Sequence, residues 1–502
     1  MVLALTTFSF AEHPQDLVSP DALAILSIQD AGAIQTSLNA ISSKQGGSPV
    51  DDLLSEFIKN PTAIDYSKGV LLSIEPGEVS AGQRLGGLFG VMPRLVVICK
   101  PKKGQTLELN MFGGVNTSTM HDGWFIAAGG NNWSSPESGK ISPIFAQLPE
   151  GQISLHASFG KLWSTIGAIT QIVGGTMIGK MNKPGPTGVI DPQTRKQTAA
   201  ISHAFRKVMR FCAGVDEISA GASLNDGSLD IEFMLTEKNP AALEIENSSM
   251  LEMATSMKGA ALQYSMSGAF TKMLLDYQLS SMSNNFAVSS MVAVTEGMRE
   301  LSDLQGDNVV MYDLDIKDGL TIFALAETSD PSTYLARGKS MINEMTQQFA
   351  NQFQMELTAA DEPTTWKVNM LGKDAADLKA MNAVVPADTI LSFGEFGDRV
   401  GFVFGSRKVL PFIEMEGETD LSRLITSNED LSIEFALSMD THKFVNTFMA
   451  IANAAGPDRG SKTIASGPSA KTQAVLGTND KGWKLEAQMD LAGLAKLMEE
   501  ME

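Results

Sequence analysis

At 502 residues the chain is too long for one ordinary core and calls for two domains. Its 43% hydrophobic and 19% charged residues exclude both a disordered chain and a multi-span membrane protein. The formal charge of −20 is uneven: residues 1–215 hold 17 Lys and Arg against 15 Asp and Glu, and residues 216–502 hold 21 against 43. So acidic a second half repels phosphate backbones and argues against nucleic acid as a partner.

In chain order, Met1–Ala11 comes first: an apolar run closed by Ser9-Phe10-Ala11, the small-x-small pattern of a secretory cleavage site. No basic residue precedes it. Residues 1–18 are expected to be a signal peptide and leader, and the mature chain to be secreted or periplasmic; a buried N-terminal strand is the alternative. A repeating unit then begins, in which an alternating strand runs through a small polar residue into an apolar helix. Ala24 opens AILSIQD ahead of AGAIQTSLNAI, and Ile153 opens ISLHASFGKLW. Between them lie the apolar strand LVVIC, which carries Cys99, and a hairpin at His121-Asp122-Gly123.

The segment Leu162–Gly179 carries no charge, with Gly175 and Gly179 at small-x-x-x-small spacing. It is expected to be a helix buried against the sheet; the sharper alternative is an apolar helix that contacts lipid. Its GGTMIGKM run nearly matches a phosphate loop, but Met181 stands where Ser or Thr should hold magnesium, and Pro184 and Pro186 follow where a helix is needed. Next comes a basic island in an acidic chain: Lys180, Lys183, Arg195, Lys196, Arg206, Lys207 and Arg210. Lys180, Lys183, Arg195 and Lys196 are the candidate contacts to an anionic surface, set against a merely solvated loop and helix face.

The pattern then repeats. Leu229 opens LDIEFML after an Asn225-Asp226-Gly227 turn, Leu262 opens LQYSMSGAFTKML, Leu431 opens LSIEFALSMDTHKF and Trp483 opens WKLEAQMDLAGLAKLM. Turns at Lys317-Asp318-Gly319, Gly397-Asp398-Arg399 and Asn479–Gly482 supply further hairpins. The expected fold is α+β in two related halves, each an antiparallel twisted sheet with helices packed on one face. Residues 19–246 form the first half, 247–258 a connector and 259–502 the second.

Methionines concentrate around that connector. Met250, Met253, Met257, Met266 and Met273 are candidate ligand-binding residues, because unbranched, polarizable side chains suit a surface for variable apolar ligands; core packing uses the same residues. Asp313 and Asp315 alternate on a strand and read as a wet acidic face, not a calcium loop. The five histidines are scattered, Asp440 ahead of His442 reads as a helix N-cap, and neither a G-x-S-x-G elbow nor an H-E-x-x-H pair occurs. No catalytic residue, metal or cofactor is therefore expected. The reading is a non-catalytic binding or scaffold protein for a lipid-like molecule or envelope protein, with peripheral membrane contact; a structural part of an envelope assembly and a carboxylate hydrolase are the alternatives.

The openers SPDALAILSIQD (Ser19–Asp30) and VPADTILSF (Val385–Phe393), with the Asp-Gly hairpins, resemble an uncharacterised group of large secreted bacterial proteins. The resemblance implies an extracytoplasmic location and brings no catalytic residues with it.

Overall fold

The computed structural model describes residues 14–29, 54–76, 93–110, 115–129, 141–181, 192–225, 227–240, 250–251, 260–282, 299–315, 319–352, 355–362, 364–371, 385–396, 399–406, 420–445 and 470–501, with a few single positions besides. It is α+β, with extensive antiparallel sheet and few helices. The chain divides into two units, Met1–Ala241 with Asp480–Lys484, and Ala242–Asn479 with Leu485–Glu502.

The first unit contains β1 (Ala24–Ile28), β2 (Val70–Glu75), β3 (Arg94–Cys99), β4 (Val115–His121), β5 (Trp124–Gly129), β6 (Ile153–Ala157), β7 (Val215–Asn225) and β8 (Ser228–Glu237). Every pairing is antiparallel, in the order β4-β5-β3-β2-β1-β6-β7-β8. The β4–β5 hairpin closes on two residues: His121 pairs with Trp124, and Asp122 and Gly123 sit at φ 48° and 79°, the left-handed pair such a turn needs. Helices were expected on one face, but the central strands are covered on both. Ile28, Val70, Val97, Cys99 and Phe125 join one cluster with Leu54, Ile58 and Ile64. Ile25, Leu71, Val96, Ile98, Trp124 and Ile126 join another with Leu17, Val18 and Ile144. Burial on both faces is why LVVIC is an unbroken apolar run instead of an alternating one.

Two helices interrupt this sheet between β6 and β7: α1 (Phe159–Met181) and α2 (Pro192–Gly214). Only Ser158 separates β6 from α1, and α2 runs directly into β7. The Lys238 ammonium donates to the Ala213 carbonyl at 3.0 Å, satisfying one orphan acceptor at the end of α2.

The second unit contains β9 (Leu262–Met266), α3 (Gly268–Met282), β10 (Gln305–Asp315), β11 (Gly319–Thr328), α4 (Pro331–Gln352), β12 (Met355–Ala359), β13 (Thr365–Met370), β14 (Thr389–Phe396), β15 (Arg399–Ser406), α5 (Asp420–Thr426), β16 (Ser432–Asp440) and β17 (Lys471–Thr478). β18 (Gly482–Asp490) and α6 (Leu491–Met501) close the chain. The pairings are antiparallel, in the order β12-β13-β14-β15-β11-β10-β9-β16-β17. Again both faces are covered. Val309, Met311, Phe323, Leu325 and Val403 pack with Met250 and Ala254 on one. Leu357, Trp366, Val368 and Leu391 pack with Ile342 of α4 on the other.

Three of the strand-to-helix junctions are side-chain N-caps. The Ser267 hydroxyl accepts from the Phe270 amide at 3.0 Å, Asp440 Oδ1 from Lys443 at 2.9 Å and Asp490 Oδ1 from Gly493 at 2.8 Å. Each polar residue satisfies an amide that would otherwise lack a partner, so a strand can turn straight into a helix.

Candidate functional site

The segment that attracted attention as an uncharged helix is α1, and it is not buried. From Gln171 onward its side chains are exposed, apart from Gly174 and Ile178, which are half-buried. Its neighbour is α2, where Thr198 is buried and Ser202, Phe205, Met209 and Cys212 are half-buried, a single line at helical spacing. Gly174 is needed at this contact, since a Cβ there would run into the Phe205 ring. At Gly175 and Gly179 a Cβ would meet nothing within 4 Å among the described residues, so the small-x-x-x-small pair does not mediate the packing of α1 against them. The GGTMIGKM run lies inside α1, and no phosphate loop forms there.

The outward faces are apolar and cationic together. Thirteen large hydrophobic side chains are exposed among the described residues, and seven belong to this pair: Ile172, Val173, Met177, Met181, Ile201, Val208 and Phe211. Val173, Met177 and Met181 follow at four-residue steps on α1, whereas Ile201, Val208 and Phe211 share one face of α2. Met177 is 63% exposed and Phe211 58%. The two helices carry Lys161, Lys180, Arg195, Lys196, Arg206, Lys207 and Arg210 and no Asp or Glu. In a chain of charge −20 this is a concentrated reversal of sign.

Of the four proposed anionic-surface contacts, Lys180 and Arg195 are exposed on α1 and α2. Lys196 lies in α2 with its side chain outside the described residues, as Lys183 is altogether. The methionine candidates are not brought together. Met250 is fully buried beside Val309 and Met311. Met266 pairs with Asn308, one residue along β10 from Val309 and so on the opposite face of the sheet, and Met273 is exposed on α3. Met253 and Met257 lie outside the described residues. A methionine-lined groove is therefore not formed by the three described residues: Met250 packs on the Val309 and Met311 face of the sheet, and Met266 on β9 points to the other. Asp313 corrects another expectation, since it is buried and its carboxylate meets the Lys443 ammonium at 2.6 Å.

One pair resembles hydrolytic machinery. His156 on β6 faces Ser219 on β7, with Nδ1 and Oγ 2.9 Å apart. Both side chains are buried, so no substrate reaches them. Burial holds the His156 pKa below its ordinary value, against the opposing pull of Glu217. The pair was not anticipated, because the two residues are remote in sequence and only strand register joins them. Cys99 and Cys212 are free thiols, and burial pushes Cys99 up to about 12, which removes it as a nucleophile.

No protein-family model and no curated protein matches the chain. Among solved structures, crystal form III of TP0453 is similar over 50% of this chain and 98% of that one, at 11% identity and a TM-score of 0.22. Crystal form I gives 50%, 98%, 11% and 0.23, and form IV 50%, 97%, 10% and 0.23. Likeness at this level carries nothing about function.

Proposed function

We propose that the protein is a non-catalytic binding protein that docks on an anionic lipid surface through α1 and α2. The observation that supports this reading is the joint exposure of seven large apolar side chains on two helices that carry only positive charge. A helix of that kind lies in the interface plane, with apolar groups in the headgroup boundary and cations among the lipid phosphates. No described helix is long and apolar enough to cross a membrane, which fits a surface-lying mode. Resemblance to secreted bacterial proteins would place the docking outside the cytoplasm.

Flotation of the purified protein with vesicles tests the reading. Binding to phosphatidylcholine vesicles containing phosphatidylglycerol is expected, with weaker binding on phosphatidylcholine alone and partial release by salt. Protein that stays at the bottom of the gradient with both vesicle types would end the proposal.

We also infer that the two units are copies of one ancestor. Their strand orders run in step: β4-β5-β3-β2-β1-β6-β7 against β14-β15-β11-β10-β9-β16-β17, with β12 and β13 added at one edge. Aligning relatives of residues 14–241 against relatives of residues 260–479 tests the inference. A lack of correspondence between β1–β7 and β9–β17 would refute it.

A further inference from the structure

Within the second unit a cavity of about 390 Å³ lies between α4 and the sheet face formed by β10, β11, β14 and β15. Its size falls in the range of small-molecule sites, and it is well above the roughly 150 Å³ of a dry apolar cavity that already takes up benzene. The room comes from a small residue between larger ones. Ala324 pairs with Val310 on one side and Phe402 on the other, and Met341 approaches from α4.

The lining decides the ligand. None of its described lining residues is charged. Its polar groups are Gln305, Asn308 and Tyr334. The Asn308 amide is engaged, donating to Thr271 Oγ1 at 2.8 Å and to the Met266 carbonyl at 3.3 Å. Gln305 differs. Its Oε1 accepts the Tyr334 hydroxyl at 3.3 Å, so its amide group is the part of the side chain left to donate. The cavity thus offers an apolar body and a neutral donor. A carboxylate placed there would lose its hydration with no cation in exchange, at a large cost.

We propose that this cavity binds an uncharged aliphatic molecule of about a dozen heavy atoms, its carbonyl or hydroxyl oxygen accepting from Gln305; the size allows each heavy atom about the 30 Å³ that a water molecule occupies in the liquid. The site is independent of the lipid-docking helices, and soluble ligands without vesicles read it separately.

The experiment is isothermal titration of the full chain with 2-undecanone and with decanoate, two probes of equal heavy-atom count and different charge. Saturable binding of the ketone is expected, with decanoate at least about tenfold weaker. Ala324→Phe fills the space and should abolish ketone binding at unchanged melting temperature; Met341→Trp fills it from the helix side if the first variant does not fold. Gln305→Leu should weaken the ketone about tenfold while the cavity persists. Saturable ketone binding absent in the parent, retained in both filled variants, or equalled by decanoate would overturn the proposal.

Discussion

Replacing Phe211 with Glu tests the docking surface at its most exposed aromatic. Fully burying a Phe side chain contributes about 1.5–3 kcal/mol, and 58% of this one remains exposed for a membrane to cover. The apolar loss is therefore about 1–2 kcal/mol, and a new anion beside an anionic leaflet adds about 1 kcal/mol. Together they predict a partition coefficient lower by a factor of about 50, since every 1.4 kcal/mol is tenfold. Phe211→Gln keeps only the apolar part and should fall about tenfold. Arg210→Gln should fall about fivefold and flatten the salt dependence. Sedimentation with phosphatidylglycerol vesicles measures all three, and melting temperature confirms that this exposed position leaves the fold intact. Phe211→Glu binding within a factor of about two of the parent protein would show that α2 does not enter the interface.

Three further outcomes concern the frame. Glu75 is buried, takes the Arg94 guanidinium at 2.8 and 3.1 Å, and accepts from the Ser19 amide and the Ser73 hydroxyl, so Arg94→Met should cost about 3–5 kcal/mol in urea unfolding; a loss below about 1 kcal/mol would contradict the pairing. His156 is held neutral by burial: its contribution is complete above the ordinary histidine value of 6.5 and is lost as pH falls from there to its lowered folded value. Unfolding followed across that window should show the parent losing stability toward acid and His156→Gln losing less; equal slopes would remove His156 as the cause. Gly174→Ala should destabilise the α1–α2 contact through the Phe205 ring, whereas Gly175→Ala, facing open space, should stabilise by about 0.5–1 kcal/mol; calorimetry reading both changes with the same sign would contradict this packing.

Local chemistry made much of the frame readable. Asp440, followed by THKF, announced its own cap, and His121-Asp122-Gly123 announced a two-residue turn, because both signals lie within four residues. Asp313 was misread because its partner, Lys443, is remote in sequence and only the fold places them together. Met250 and Met266 are close in the chain, but one packs onto a face of the sheet from outside it and the other, within β9, points to the opposite face. The cations of α2 were visible as composition. The exposure of its apolar face was not, since hydropathy records what a side chain is and not whether a neighbour covers it. The cavity at Ala324 depends on what stands on either side of it across two hairpins, which no local window contains.

The roots of α1 and α2 bear on mechanics. β6 and β7 lie side by side, with Ala157 opposite Ile218, and one helix departs from the first strand just where the other arrives at the second. Both feet of the arm are thus bolted to adjacent rungs of a ladder, with no swivel at either. A force applied to either helix therefore reaches its strand through at most one intervening residue, Ser158.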